Sequence, residues 1–321
     1  KPQLTITTHS SHILDTVDFS KIRYFRRCQI NGEQEGVSYQ GTTVHSLRQF
    51  QPEPLELGGD LIEPEEALSF LKKYLRLTHC DLFFSDAAIL VEGSAEKLLL
   101  PRMIDISAPE LNKKYLTILE VGGAYGMRFA GLLEFLEIPY LVITDIDSVD
   151  PASNRASCVA THPGAVSSNA TLGYFLGETG VAALSGKTFD ECLQAEGMRF
   201  VAYQKPVEVK RQDNTQTFHG RTLEEAFVFE NLDHFHADGL SIGIDLPDGR
   251  AELQEAVWRR IKSDTFKKTE FAMDVLAFEM PAGEDEEANA GEKQDWNVPH
   301  YIDEGLKWLE TRLSQNQGAG E

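Results

Sequence analysis

Two short apolar runs, each ending on acidic residues, constrain this chain more than any other feature. Ala87 to Val91 (AAILV) ends at Glu92-Gly93 and passes into a helical stretch through Leu100. Tyr140 to Ile143 (YLVI) ends at Thr144-Asp145-Ile146-Asp147. Continuous apolar runs of this length suit strands buried on both faces. Leu116 to Leu119 and Phe200 to Tyr203 supply two more candidate strands. Strands alternating with helices predict an α/β fold with a mainly parallel sheet whose faces are covered. In such a sheet ligands bind beyond the carboxyl ends of the strands, where both acidic motifs would fall.

Ahead of this core, residues 3–8 (QLTITT) read as a short buried strand. Lys21 to Phe25 and Gly36 to Leu47 read as further strands separated by Asn31-Gly32 turn chemistry. Pro52, Pro54 and Gly58-Gly59 mark a break. Pro64 then sits at a helix start with Glu65 and Glu66 in the first turn, and Ala67, Leu68, Leu71, Tyr74 and Leu75 recur at helical spacing. The predicted organisation is a leading segment over 1–60, a connecting helix over 61–84, and the α/β domain over 85–321. Irregular or helical insertions fall near 149–195, rich in Ser, Gly and Ala, and near 232–266. Ile302, Leu306, Leu309 and Leu313 form the stripe of a closing amphipathic helix. A length of 321 residues suits one large domain with appendages, or two domains.

Composition narrows the partners. No apolar run approaches the roughly 20 residues that span a bilayer, so no membrane is expected. The opening KPQLTITTHSSHIL lacks the features of a signal peptide and begins abruptly in a strand-like run, so the expectation is a piece of a longer protein. Cys28, Cys80, Cys158 and Cys192 are scattered without a CxxC pair, which suggests neither a zinc site nor a disulfide framework and fits a reducing cytoplasm. The net charge of −21 argues against affinity for nucleic acid through a broad basic surface. That argument weakens if carboxylates concentrate at a metal site or lie in solvated segments such as 283–292 (GEDEEANAGE).

Glu92 and Glu96, four apart at the start of the helical stretch, would share one face. Asp145 and Asp147, two apart at a strand end, would point the same way. Four converging carboxylates need protons or cations to neutralise them, and an all-oxygen set suits Mg²⁺ or Mn²⁺ rather than zinc. Two such cations activate water and stabilise the leaving oxygen of a phosphodiester. A solvated helix face is the ordinary alternative for the Glu pair. The DxD is the more informative motif.

Together, with LVEG around one motif and LVIT around the other, these residues resemble the Toprim domain shared by topoisomerases, primases and certain nucleases. Its signature is a strand-end glutamate followed downstream by a DxD. Thr8-His9-Ser10-Ser11-His12 resembles the switch-histidine segment near the end of an ABC-type ATPase core. ATPase followed by Toprim is the order of the OLD (overcoming lysogenization defect) family of nucleases. Arg221-Thr222-Leu223-Glu224 resembles that family's acidic TLE motif, and Lys267-Lys268-Thr269-Glu270-Phe271-Ala272 its lysine-bearing helix. The resemblance covers nearly the whole chain. It implies a Rossmann-like Toprim domain with helical insertions, preceded by the tail of an ABC-type ATPase domain over 1–60.

By that resemblance the chain would nick and cut double-stranded DNA using two Mg²⁺ or Mn²⁺ ions, with Ca²⁺ a further candidate in a crystal. Glu92, Asp145 and Asp147 are the implied primary ligands, with Glu96 and Glu224 supporting the second ion. Lys268 is the implied phosphate-facing cation, and Lys267 its alternative in register. The rest of the ATPase domain is the implied partner on the same polypeptide. A homodimer stays open.

Two rivals carry different chemistry. Asp145-Ile146-Asp147-Ser148-Val149 also resembles the nucleophile motif of haloacid-dehalogenase-like phosphatases, although that motif normally opens its domain. A non-catalytic Toprim-like scaffold is the second. Ser185-Gly186-Lys187-Thr188 has its preceding glycine at Gly180, one residue too far for a phosphate-binding loop, and no strand before it. His234 and His236 lack a third metal ligand at suitable spacing. His9, without Walker elements, would be an orphan nucleotide sensor.

Overall fold

Apolar on every residue, Ala87–Val91 and Tyr140–Ile143 become adjoining parallel strands buried along their whole length. The computed structural model describes residues 4–8, 10, 16–31, 38–57, 60–78, 80–122, 124–211, 214–235, 239–278 and 296–315. Among them the strands in chain order are β1 (Arg23–Asn31), β2 (Ser38–Ser46), β3 (Leu55–Leu57), β4 (Asp60–Ile62), β5 (Ala87–Val91), β6 (Leu116–Glu120) and β7 (Tyr140–Ile143). They continue as β8 (Ser148–Asp150), β9 (Ala156–Ser157), β10 (Val166–Ser167), β11 (Leu193–Gln194), β12 (Arg199–Ala202), β13 (Val207–Arg211) and β14 (Asn214–Phe218). The α-helices are α1 (Pro64–Thr78), α2 (Ser94–Ser107), α3 (Ala124–Phe135), α4 (Ala170–Leu176) and α5 (Val181–Ser185). After them come α6 (Phe189–Cys192), α7 (Leu223–Glu230), α8 (Arg250–Lys262), α9 (Lys268–Ala277) and α10 (His300–Gln315).

The central sheet runs β11-β12-β7-β5-β6, parallel except for the short antiparallel edge β11. The chain lays down β5, crosses to β6 on one side, then returns to β7 on the other. That reversal opens a crevice at the carboxyl ends of β5 and β7, the place where such sheets bind ligands. Helix α10 covers β7 and β12 with Ile302, Leu306 and Leu309, all buried. Its Gly305 is needed for close approach: a Cβ there would meet Leu141 Cδ1 at 2.6 Å and Ala202 Cβ at 3.3 Å. Helix α1 packs on α3 through edge-to-face rings, Phe70 and Tyr74 against Phe129, and the Tyr74 hydroxyl donates to the Glu120 carbonyl at 2.7 Å. Phe19, Leu47 and Phe50 continue into the same apolar cluster.

Several expectations change. Residues 4–8 form no strand, and Leu4 and Ile6 stand 81% and 62% exposed. An alternating apolar segment becomes a strand only with an edge to pair with, and no described strand pairs with this one. The first long strand starts at Arg23 rather than Lys21, and hairpins β3–β4 and β13–β14 were not foreseen. The segment 149–195 is not simply irregular or helical. It holds the small antiparallel sheet β10-β8-β9 as well as α4 to α6. His9, His12, Gly32, Gly58, Gly59, His236 and 283–292 lie outside the described residues. Cys80, Cys158 and Cys192 are buried and in no disulfide, and no helix among the described residues is long and apolar enough to cross a membrane.

Candidate active site

Several elements place the acidic residues of the crevice. Glu92 follows β5 directly, while Glu96 lies in the first turn of α2, whose N-cap is Gly93. They do not share a helix face, because Glu92 precedes the helix. Asp145 and Asp147 follow β7 outside any strand, and Asp147 takes left-handed backbone with φ of 48°. Strand alternation therefore does not align them: Asp145 is buried, whereas the Asp147 side chain is 39% exposed. An aspartate tolerates that backbone better than most residues.

Backbone clamps hold the DxD from two sides. The Asp147 amide donates to the Arg221 carbonyl at 3.1 Å, and the Leu223 amide donates to Asp145 Oδ1 at 3.0 Å. From the other side the Ser167 hydroxyl donates to the Ile146 carbonyl at 2.7 Å, and the Ser168 hydroxyl donates to the Asp147 carbonyl at 2.8 Å. Gln204, just beyond β12, donates through Nε2 to Asp145 Oδ1 at 2.6 Å and accepts the Ile146 amide at 2.9 Å. The loop before α7 runs so close to that helix that a Cβ at Gly220 would meet the Ala226 nitrogen at 2.6 Å.

Two chain-borne cations meet the carboxylates. Arg221 Nη2 lies 3.0 Å from Asp147 Oδ1. Lys268, the first residue of α9, places Nζ 3.0 Å from Glu224 Oε2 and 3.7 Å from Asp145 Oδ2. Lys267 instead donates to the Asp264 carbonyl, away from the crevice. Apart from the Lys268 ion pair, neither oxygen of the fully buried Glu224 accepts a hydrogen bond. A buried carboxylate in that state is costly without a cation.

The electrostatics follow. Burial, with the charges of Glu96, Glu224 and Asp147, pushes the Asp145 carboxyl well up despite the opposing pull of Lys268. Burial and then Glu224 push Glu96 up to about 7. Burial also raises Glu92, partly offset by hydrogen bonds from Thr144 and Asn169. Burial alone would pull the Lys268 ammonium down, but Asp145, Glu224 and Glu96 hold it above the usual lysine range. As the side chains stand, no three Asp, Glu, His or Cys residues among those described surround one point closely enough to hold a metal ion. Glu92, Asp145 and Asp147 instead engage donors of the chain, and Glu224 pairs with Lys268.

The structure thus brings Asp145, Glu224 and Lys268 into contact. Glu96 is close enough for its charge to be felt by both acids, and Glu92 stands beside them on the neighbouring strand end. Sequence reasoning missed Thr144, Asn169, Gln204 and Arg221. Gln204 was accessible from topology, since it follows a parallel strand at its carboxyl end. Ser-Ser-Asn at 167–169 carried an N-cap signal for α4 but no sign of its contact with Glu92. His234 sits in a 3-10 turn with its ring 5.8 Å from Phe278. Gly186 ends α5 and Thr188 caps α6, so 185–188 is a helix junction rather than a phosphate loop.

Residues 83–147 match the family described as overcoming lysogenization defect protein-like, Toprim domain. Over 97% of its length the chain is 27% identical to endonuclease GajA of Bacillus cereus (strain HuB5-5), and it spans 43% of that protein. Two solved structures of OLD protein C-terminal regions also match. For that of Burkholderia pseudomallei the identity is 19% and the TM-score 0.37, covering 72% of this chain and 99% of the other. For that of Xanthomonas campestris pv. campestris the values are 20%, 0.37, 73% and 98%.

Proposed function

We propose that the chain, whose residues 83–147 match the OLD-like Toprim family, is a divalent-metal-dependent DNA endonuclease acting at the β5–β7 crevice. The observation that carries this reading is the pair of buried carboxylates, Glu224 and Asp145, at the carboxyl end of the sheet, with Lys268 the one cation ion-paired to them among the described residues. The donor set fits hard cations, because it is all oxygen and its acids are pushed towards neutrality by burial and then by one another's charge. Glu92, Asp145 and Asp147 would hold one Mg²⁺ or Mn²⁺, and Glu96 and Glu224 would support a second. Bound there, such ions supply Lewis acidity towards the phosphodiester and lower the pKa of water.

The chain's own groups do the rest. Lys268, a compact ammonium fixed at the start of α9, offsets charge that grows on the scissile phosphate. Arg221 holds Asp147 through an ion pair, and Gln204 fixes one oxygen of Asp145 while the other faces Lys268. Residues 1–60 are proposed as the tail of an ATPase domain on the same polypeptide. In support, Phe25 and Val44 lie directly opposite each other on β1 and β2 and stand 64% and 52% exposed, apolar surface that a covering domain would bury.

Incubation with supercoiled plasmid tests the reading. Nicked and linear product with Mg²⁺ or Mn²⁺, none with EDTA, and no inhibition by beryllium fluoride are expected. Intact plasmid under all conditions would leave a scaffold, and beryllium fluoride inhibition of phosphate-ester hydrolysis would favour an aspartyl nucleophile. Metal affinity should also rise with pH. Acids with raised pKa hold protons near neutrality in the metal-free protein, and a bound cation must displace them. Each displaced proton steepens affinity by about tenfold per pH unit below the ligand's pKa. With Glu96 at about 7, Mn²⁺ titrations at pH 6, 7 and 8 should show affinity climbing towards pH 8 with proton release. A flat profile would place the metal elsewhere.

A further inference from the structure

The segment 149–195 sits beside the crevice, and one of its residues reaches into it. Asn169 is the N-cap of α4: its Oδ1 accepts the Thr171 amide at 2.9 Å. That bond fixes the amide's orientation, because a backbone N–H can face only the oxygen. The amino group must then face the other way, where Nδ2 lies 2.6 Å from Glu92 Oε1, 2.8 Å from Thr144 Oγ1 and 2.7 Å from the Asp145 carbonyl. Thr144 itself donates to the same Glu92 oxygen. Asn169 is buried, and its backbone amide donates to Ser167 Oγ at 3.0 Å, within the stretch that clamps the DxD.

One side chain therefore joins the strand end of β5, the strand end of β7 and the start of α4. We infer that Asn169 is a positioning residue, which with Thr144 holds one oxygen of Glu92 and leaves the other to face the crevice as a metal ligand. The inference rests on the metal reading above. It gives the insertion a role, since an element outside the five-stranded sheet fixes the first acidic residue of the site. Outer partners of this kind orient a ligand, and their loss typically weakens metal binding by about 10–100-fold.

Serine and asparagine cap helices about equally well, whereas alanine does not. Asn169→Ser keeps the cap and removes the bridge to Glu92; Asn169→Ala removes both. The experiment is calorimetric Mn²⁺ titration of the wild type, Glu92→Gln, Asn169→Ser and Asn169→Ala, with metal-free thermal melts of each. Expected are weaker binding in Glu92→Gln, an equal loss of about 10-fold or more in both Asn169 variants, and a lowered melting temperature only in Asn169→Ala. Wild-type affinity in Asn169→Ser beside a weakened Glu92→Gln would overturn the positioning role while sparing the metal site. Affinity loss confined to the less stable Asn169→Ala would do the same, reducing Asn169 to a helix cap. No Mn²⁺ binding by the wild type, or unchanged binding in Glu92→Gln, would remove the metal reading and this inference together.

Discussion

Plasmid cleavage is expected to fall by on the order of 10³-fold or more in Asp145→Asn, with the fold retained. Asp145 is the residue on which the crevice converges. Its Oδ1 accepts from Gln204 and from the Leu223 amide, and its Oδ2 faces Lys268. An asparagine oxygen can accept both Oδ1 bonds, so the local frame survives. The amide nitrogen then takes the place of Oδ2, removing the negative charge and the lone pairs a cation needs. The metal-free protein should not be less stable, because Asp145 is a buried acid whose charged form is already disfavoured. Circular dichroism and a thermal melt check the fold, and cleavage with titrated Mn²⁺ checks the function. Retained cutting at normal metal affinity would move the site away from Asp145.

Lys268→Ala should lower single-turnover cleavage by on the order of 10²-fold without weakening metal binding. A protonated lysine cannot ligate a cation, and although burial disfavours the charged form, the neighbouring charges of Asp145, Glu224 and Glu96 keep this one protonated. Its ammonium contacts the two carboxylates that a metal would use. Its removal therefore takes away a competitor for them, and Mn²⁺ affinity should hold or rise. DNA binding should change much less than rate. Lys268→Arg should restore only part of the activity, since a planar fork does not reproduce a compact charge at a fixed distance. Lys267→Ala serves as the register control, because its amine is turned to the Asp264 carbonyl. Wild-type cleavage in Lys268→Ala, or equal damage in both variants, would show that α9 does not place one specific cation at the scissile phosphate.

The sheet was readable because its central strands are buried on both faces, which leaves no room for polar residues in Ala87–Val91 or Tyr140–Ile143. The acidic residues at their ends were readable for the same reason, as abrupt changes of character. The geometry between those residues was less so. Periodicity arguments assume that a helix or strand persists, and both motifs sit where it stops: Glu92 lies ahead of α2, and Asp147 takes a left-handed backbone. Asn169, Gln204 and Arg221 act through contacts spanning 77, 59 and 74 residues of sequence. No local pattern encodes such separations. The leading segment is where the sequence misleads: 3–8 reads as a short buried strand, yet 4–8 have no described strand to pair with.

Anomalous diffraction from crystals soaked in Mn²⁺ tests the metal centre most directly. Peaks are expected in the β5–β7 crevice, ligated by Glu92, Asp145 and Asp147 and by Glu96 and Glu224, with the Lys268 ammonium displaced from between Asp145 and Glu224. A crevice without a peak at saturating Mn²⁺, with Lys268 still paired to both carboxylates, would contradict a metal-dependent nuclease at this site.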